Sequence, residues 1–112
     1  MNIDYFKGLN VAVTLCDENG VIVYMNDKSA LTFQKYGGAD LLGKNLLDCH
    51  PEPAKSTLAK MLLTHQPNSY TIEKNGIKKL IHQVPRIEDG EFKGYAELSL
   101  EIPFEMPHFI RK

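Results

Sequence analysis

Two side chains that do chemistry stand next to each other in the segment GKNLLDCHPEPAK, Gly43 to Lys55: the thiol of Cys49 and the imidazole of His50. A thiolate is a nucleophile and a metal ligand, and a helix N-terminus lowers its pKa. An imidazole changes charge near neutral pH and can donate, accept or ligate. As a catalytic pair the two are badly arranged, because nucleophile and base normally come from separate segments so that sulfur and ring can meet. As a metal site they lack company: the other cysteine, Cys16, is 33 positions away, and no CxxC or HxxxH spacing occurs. Ser29, Ser56, Ser69 and Ser99 have no elbow or Gly-rich setting, so no enzymatic activity is expected.

The plain expectation for Cys49-His50-Pro51 is a helix entrance. Pro51 suits the first helical position, Glu52 complements the positive end of the dipole, His50 falls at or beside the N-cap, and Cys49 packs as a small hydrophobe. The alternative is that His50 points its ring into a cavity. His82, in KKLIHQVPR, raises the same choice, since it shares a strand face with Leu80 and Val84 and a polar ring on an apolar face must find a partner. That partner is a neighbouring group, a ligand or a bound haem. His65 falls at a helix end as a cation near the negative dipole, and His108 lies in the tail.

The elements that must hold these residues can be read from periodicity. VAVTLCDENGVIVYMN alternates on both sides of Asp17-Glu18-Asn19-Gly20, which predicts a β-hairpin. Asp27 to Tyr36 is helix-compatible, with Asn26 or Asp27 as cap and Gly37-Gly38 as stop, and a short helical turn follows from Ala39 to Leu42. Ala54, Leu58, Met61, Leu62 and His65 form one stripe of an amphipathic helix over Pro51 to His65. NSYTIEK and IKKLIHQVPRI flank Asn75-Gly76, a strong hairpin signal, and a turn at Glu88-Asp89-Gly90 leads into a last strand. There Phe92, Gly94, Ala96, Leu98, Leu100 and Ile102 alternate with Lys93, Tyr95, Glu97, Ser99 and Glu101, predicting the first set inward and the second outward. The tail, with Phe104, Met106, Phe109 and Ile110, is expected to pack on something. The fold class is therefore α+β: a five-stranded antiparallel sheet with short helices on one face.

A chain of 112 residues fits one domain over 1–112, with a core at about 9–102. Apolar residues at 43% and charged residues at 24% are ordinary for a folded protein. A formal charge of −1 without a basic cluster gives no footprint for nucleic acid or an anionic membrane. The N-terminal residues read as neither a signal peptide nor a membrane span, which makes a cytoplasmic location the expectation.

DENGVIVYMN with its trailing Asn26, LLGKNLLD before the long helix, and EDGEFKGYAELSLEI as the closing hairpin resemble, in this order and spacing, a PAS domain across about Leu9 to Ile102. The nearest likeness is to a bacterial group whose helix begins Cys-His-Pro. The resemblance implies a sensory, signal-transducing module, commonly a homodimer, that encloses a small-molecule ligand and reports to a histidine kinase of a two-component system or another signalling protein. The flavin-reactive cysteine of light-oxygen-voltage domains would follow the asparagine of G-x-N, where this chain has Leu46, so a flavin is not expected. The axial histidine of the oxygen-sensing haem branch would fall at Leu58, so haem would need His50 or His82 instead. The chromophore cysteine of photoactive yellow protein would fall at Pro53. The ligand is therefore left open. Ligand-binding candidates are Asn26, His50, Leu58, Leu62, His82 and Leu98. The outer sheet face near Tyr95 and Glu97 and the tail are the expected dimer or output surfaces; a ligand-free dimerisation module is the remaining alternative.

Overall fold

A computed structural model describes residues 3–112. Met1 and Asn2, part of the short N-terminal segment, lie outside the described residues.

The opening hairpin pairs β1 (Ala12–Cys16) with β2 (Ile22–Met25). Its turn is built by Asp17, whose Oδ1 accepts from the backbone N–H groups of Asn19 and Val21 at 2.9 Å each, an Asx arrangement that makes aspartate a turn former. The GKN segment is stapled to this hairpin. Gly43 N–H donates to Ile22 O, Ile22 N–H to Lys44 O, and Leu46 N–H to Gly20 O. Asn45 closes the junction, its Nδ2 donating to Asn19 O while its Oδ1 caps the following helix at Leu47 N–H.

Asn26 caps α1 (Asp27–Thr32). The helix expected to run to Tyr36 is shorter, giving way to two single turns of 3-10 helix, Gln34–Tyr36 and Gly38–Leu41, around Gly37. The next segment departs further from expectation. A four-residue helix, α2 (Leu46–Cys49), precedes the long one, and α3 (Ala54–Thr64) begins three residues after Pro51. His50 is thus the residue that ends α2, not the cap of α3. The cause is local: a residue before proline is pushed out of the helical region, and His50 has φ −118° and ψ 128°. Glu52 still serves the start of α3, accepting from Ser56 N–H at 2.9 Å and Ser56 O–H at 2.7 Å, which holds its carboxyl below the usual range. Of the predicted stripe, Met61 is buried and Leu58 and Leu62 are half-buried.

Three strands complete the sheet, β3 (Asn68–Lys74), β4 (Ile77–Glu88) and β5 (Glu91–Ile102), in the order β2-β1-β5-β4-β3, antiparallel throughout. The α+β expectation of a five-stranded antiparallel sheet with short helices on one face holds. The phase of β5 does not. Register shifts between Arg86 and Ile87, so that Phe92 faces Ile87 while Gly94 faces Arg86, with Lys93 as the extra residue. A bulge of this kind moves every following side chain to the opposite face. Phe92 consequently packs with Tyr95, Met61 and Cys16, and Tyr95, expected outside, is buried at 8% exposure. Gly94 permits the bulge: its φ is 122°, and a Cβ there would run into the carbonyl of Cys16.

The C-terminal tail was expected to pack, yet Phe104, Met106, Phe109 and Ile110 are each more than half exposed. Two prolines deny it a continuation of β5, and its apolar side chains find no cover on the described body.

Candidate functional site

Between the sheet and the helices lies a cavity of about 370 Å³, within the range of about 300–1,000 Å³ usual for small-molecule sites. The hairpin supplies Thr14, Cys16, Ile22 and Met25; α2 and α3 supply Leu46, Leu58, Met61 and Leu62; the sheet floor supplies Gln83, Tyr95 and Glu97. Tyr36, Cys49 and Pro51 also line it and are exposed, so they mark its mouth. A second hollow of about 220 Å³ adjoins it, sharing Phe33, His50 and Glu97 and extending to Tyr70, Ile72 and Lys79.

The polar groups of the floor form a chain across three strands. Asn68 Nδ2 donates to Gln83 Oε1 at 3.0 Å, and Gln83 Nε2 donates to Glu97 Oε1 at 2.8 Å. This is cross-strand pairing made chemical, because Asn68 faces Gln83 and Gln83 faces Glu97 in the register. At one end of the floor the Tyr95 hydroxyl reaches Met61 O at 2.7 Å and Gln66 O at 2.8 Å, tying the end of α3 to β5. Beyond it His65, with φ 58°, ends α3 and stacks on Phe92 with ring centroids 3.7 Å apart. His50 Nδ1 lies 2.8 Å from Leu46 O. A carbonyl can only accept, so Nδ1 carries the proton and Nε2 of the neutral ring is an acceptor.

Burial sets the titration of the neighbours. The Cys16 thiol is pushed up chiefly by burial, and so is the Tyr95 phenol, with Cys16 adding to it. Tyr70 is raised by burial and then by the Glu97 charge.

Of the six residues expected to bind a ligand, three line the main cavity: His50, Leu58 and Leu62. Asn26 is 2% exposed and spends its whole amide on the fold. Its Oδ1 accepts from Val13 and Ser29 N–H, and its Nδ2 donates to Phe6 O and Val11 O. Leu98 and His82 lie on the other side of the sheet. Paired residues share a face; Glu97 pairs with Gln83 and Thr14, which line the cavity, whereas Leu98 pairs with His82 and Val13. The His82 ring finds its partner there, Ser69 Oγ at 2.6 Å from Nδ1. The expected outer residues Tyr95 and Glu97 are accordingly inner ones. Sequence reasoning missed Gln83, Tyr95 and Glu97 as cavity residues. Gly94 within an alternating strand was the signal available, since an interior strand glycine marks a bulge.

Among the described residues no three His, Cys, Asp or Glu side chains come together to hold a metal ion, and no helix is long and apolar enough to cross a membrane.

No curated protein matches the chain by sequence. Solved structures do match by shape. The PAS domain of BvgS from Bordetella pertussis superposes with a TM-score of 0.64 at 18% identity, over 88% of this chain and 81% of that one. A sensory box sensor histidine kinase from Vibrio cholerae gives 0.61 at 16% identity, over 89% and 87%. The Aer2 receptor from Vibrio cholerae, described as a dual PAS-heme oxygen sensor, gives 0.60 at 17% identity, over 83% and 95%. At such identities the likeness is one of fold. The family model described as the PAS fold matches residues 6–75, more than half of the sequence. With hairpin, short helices and three closing strands in that order, and with this match over more than half of its length, the chain belongs to the PAS family.

Proposed function

We propose that the protein is a cytoplasmic sensory module that takes up a small molecule in the cavity and reports its presence through protein contacts. One observation carries this: a cavity of about 370 Å³ whose wall is mostly apolar but whose floor holds Gln83 and Glu97, bonded to each other and held from outside the cavity by Asn68. Apolar walls with a few fixed polar groups are the usual make-up of ligand sites. Strand β5 supplies the route outward, since Tyr95 and Glu97 line the cavity and the same strand runs on into the exposed apolar tail. The partner in this reading is a second copy of the chain or a histidine kinase, the setting of several proteins of like fold. Mass spectrometry of the protein as isolated, before and after denaturation, tests it. A bound small molecule is expected, and it should be lost in Leu62→Trp, which fills the hollow. An empty protein that no small probe stabilises would sink the proposal.

A second reading, haem held through His50, is favoured by one observation. The Nδ1–H of His50 is fixed on Leu46 O, and its other nitrogen is free on a side chain lining both hollows. Such a bond to a carbonyl orients histidines that ligate metals. Haem titration should then give a Soret shift that disappears in His50→Ala and persists in His82→Ala; absence of any shift excludes it.

A further inference from the structure

Among the described residues Glu97 is the one Asp, Glu, Lys or Arg side chain that lines the main cavity. Several polar groups around it are engaged within the protein, while the Tyr36 hydroxyl stands at the exposed mouth. Gln83 Nε2 donates to Glu97 Oε1, the Tyr95 hydroxyl to Met61 O and Gln66 O, and His50 Nδ1 to Leu46 O, while Thr14 Oγ1 is bonded to Ser29 Oγ. Two acceptors remain where the hollows join. One is Glu97 Oε2, which takes no hydrogen bond among the described residues; the carboxylate has no lysine, arginine or histidine within salt-bridge reach. Lys79 lines the second hollow yet makes no ion pair with it. The other is His50 Nε2, which carries a lone pair in the neutral ring.

A carboxylate oxygen facing a mostly apolar hollow makes short, strong hydrogen bonds with a charged or multiply donating group. Here Gln83 satisfies one oxygen and leaves the other. We propose that the cavity selects a ligand with an apolar body and a nitrogen head bearing several N–H donors, such as a primary ammonium, an amidine or a guanidinium. The head sits between Glu97 and His50, and the body lies against Leu58, Met61 and Leu62. Carboxylate and phosphate heads are disfavoured in the main cavity, because they would bring like charge to Glu97 while Lys79 lines only the second hollow. This deepens the ligand-binding reading above and rests on it.

The test is an amide NMR titration of the full chain with matched probes: phenethylamine, tryptamine and benzamidine against phenylpropionate, indoleacetate and benzoate, with phenethyl alcohol as the neutral member. The amines are expected to bind, shifting the amides around His50, Gln83 and Glu97, and the carboxylates to bind weaker by about tenfold or more. Glu97→Gln should weaken the amines by about tenfold or more and leave phenethyl alcohol unchanged. Carboxylates binding as tightly as amines, or a folded Glu97→Gln that keeps full amine affinity, overturns the head-group assignment while the cavity remains a ligand site. No binding by any probe, the alcohol included, removes the ligand-binding reading and this one with it. If Glu97→Gln does not fold, the comparison of amines with carboxylates on the unaltered chain decides alone.

Discussion

Replacing Tyr95 by phenylalanine removes one oxygen and leaves the ring where it packs, edge-on to Phe92 at 5.5 Å between centroids. The loss should therefore report the hydroxyl alone. That hydroxyl reaches Met61 O at 2.7 Å and Gln66 O at 2.8 Å. Met61 O keeps a second partner, the N–H of His65 at 2.8 Å, so the Gln66 carbonyl is the group chiefly stranded. Leaving a buried acceptor unpaired costs about 1–3 kcal/mol; Gln66 is an exposed residue and its bond to the hydroxyl is only part-buried, which places the loss in the lower half, about 1.5 kcal/mol. An unfolding entropy of about 2.1 cal/mol/K per residue, over a chain of 112 residues, converts this to a fall in Tm of about 6 °C. Circular dichroism melts of the two proteins measure it. Urea melts should show a lower midpoint at unchanged slope, the mark of lost stability without a change in what unfolds. Hydrogen exchange should accelerate first at the last turn of α3, which the hydroxyl ties to β5. A Tm within about 1 °C of the parent, with α3 protection intact, would refute the idea that this hydroxyl clamps the cavity wall to its floor.

Other perturbations probe neighbouring parts of the same architecture. Gly94→Ala combines a φ of 122° with a Cβ thrust into the Cys16 carbonyl, so a loss above about 3 kcal/mol in a urea melt is expected; a small loss would mean the bulge does not need glycine. Cys49 is exposed and Cys16 is buried with its thiol pushed up by burial. A thiol-exchange dye should label one cysteine per native chain, lost in Cys49→Ser, and two after unfolding; rapid native labelling of Cys16 would contradict its placement in the core. In alkali, Tyr24, pushed up to about 12 by desolvation and the Asp4 carboxylate, joins Tyr70 and Tyr95, which burial raises above the ordinary 10.0. A phenol with a raised folded value stabilises fully below the unfolded value and loses that contribution as pH climbs through the folded one. The urea midpoint should thus fall beyond pH 10.0, and less steeply in Tyr95→Phe; a midpoint flat to about pH 12 would exclude the linkage.

Much of the architecture was legible because it is written in local signals. The Asp17 turn, the Asn75-Gly76 hairpin and the stripe of Leu58, Met61 and Leu62 each act over a few residues, where periodicity and turn chemistry suffice. The Asn26 cap was equally local, but its further bonds to Phe6 O and Val11 O join distant segments. Those bonds make it a structural residue rather than a binding one. The Cys49-His50-Pro51 junction was misread for a related reason. Proline bars helix in the residue before it, and whether His50 then begins one helix or ends another depends on α2, a four-residue helix held by Asn45 against the hairpin.

By itself, then, the sequence determined how many strands there would be, their order along the chain and the antiparallel sheet they make, because hairpin turns and alternation act between neighbours along the chain; the helices it placed only approximately, and α2 it did not show. Which side chains enter the cavity was decided only in three dimensions. A single extra residue at Lys93, admitted because Gly94 has no Cβ to meet the Cys16 carbonyl, turned Tyr95 and Glu97 inward and sent Leu98 to the far face, where it pairs with His82. A strand alternates with a period of two, so its pattern gives two equal answers until a packing contact elsewhere in the fold selects one.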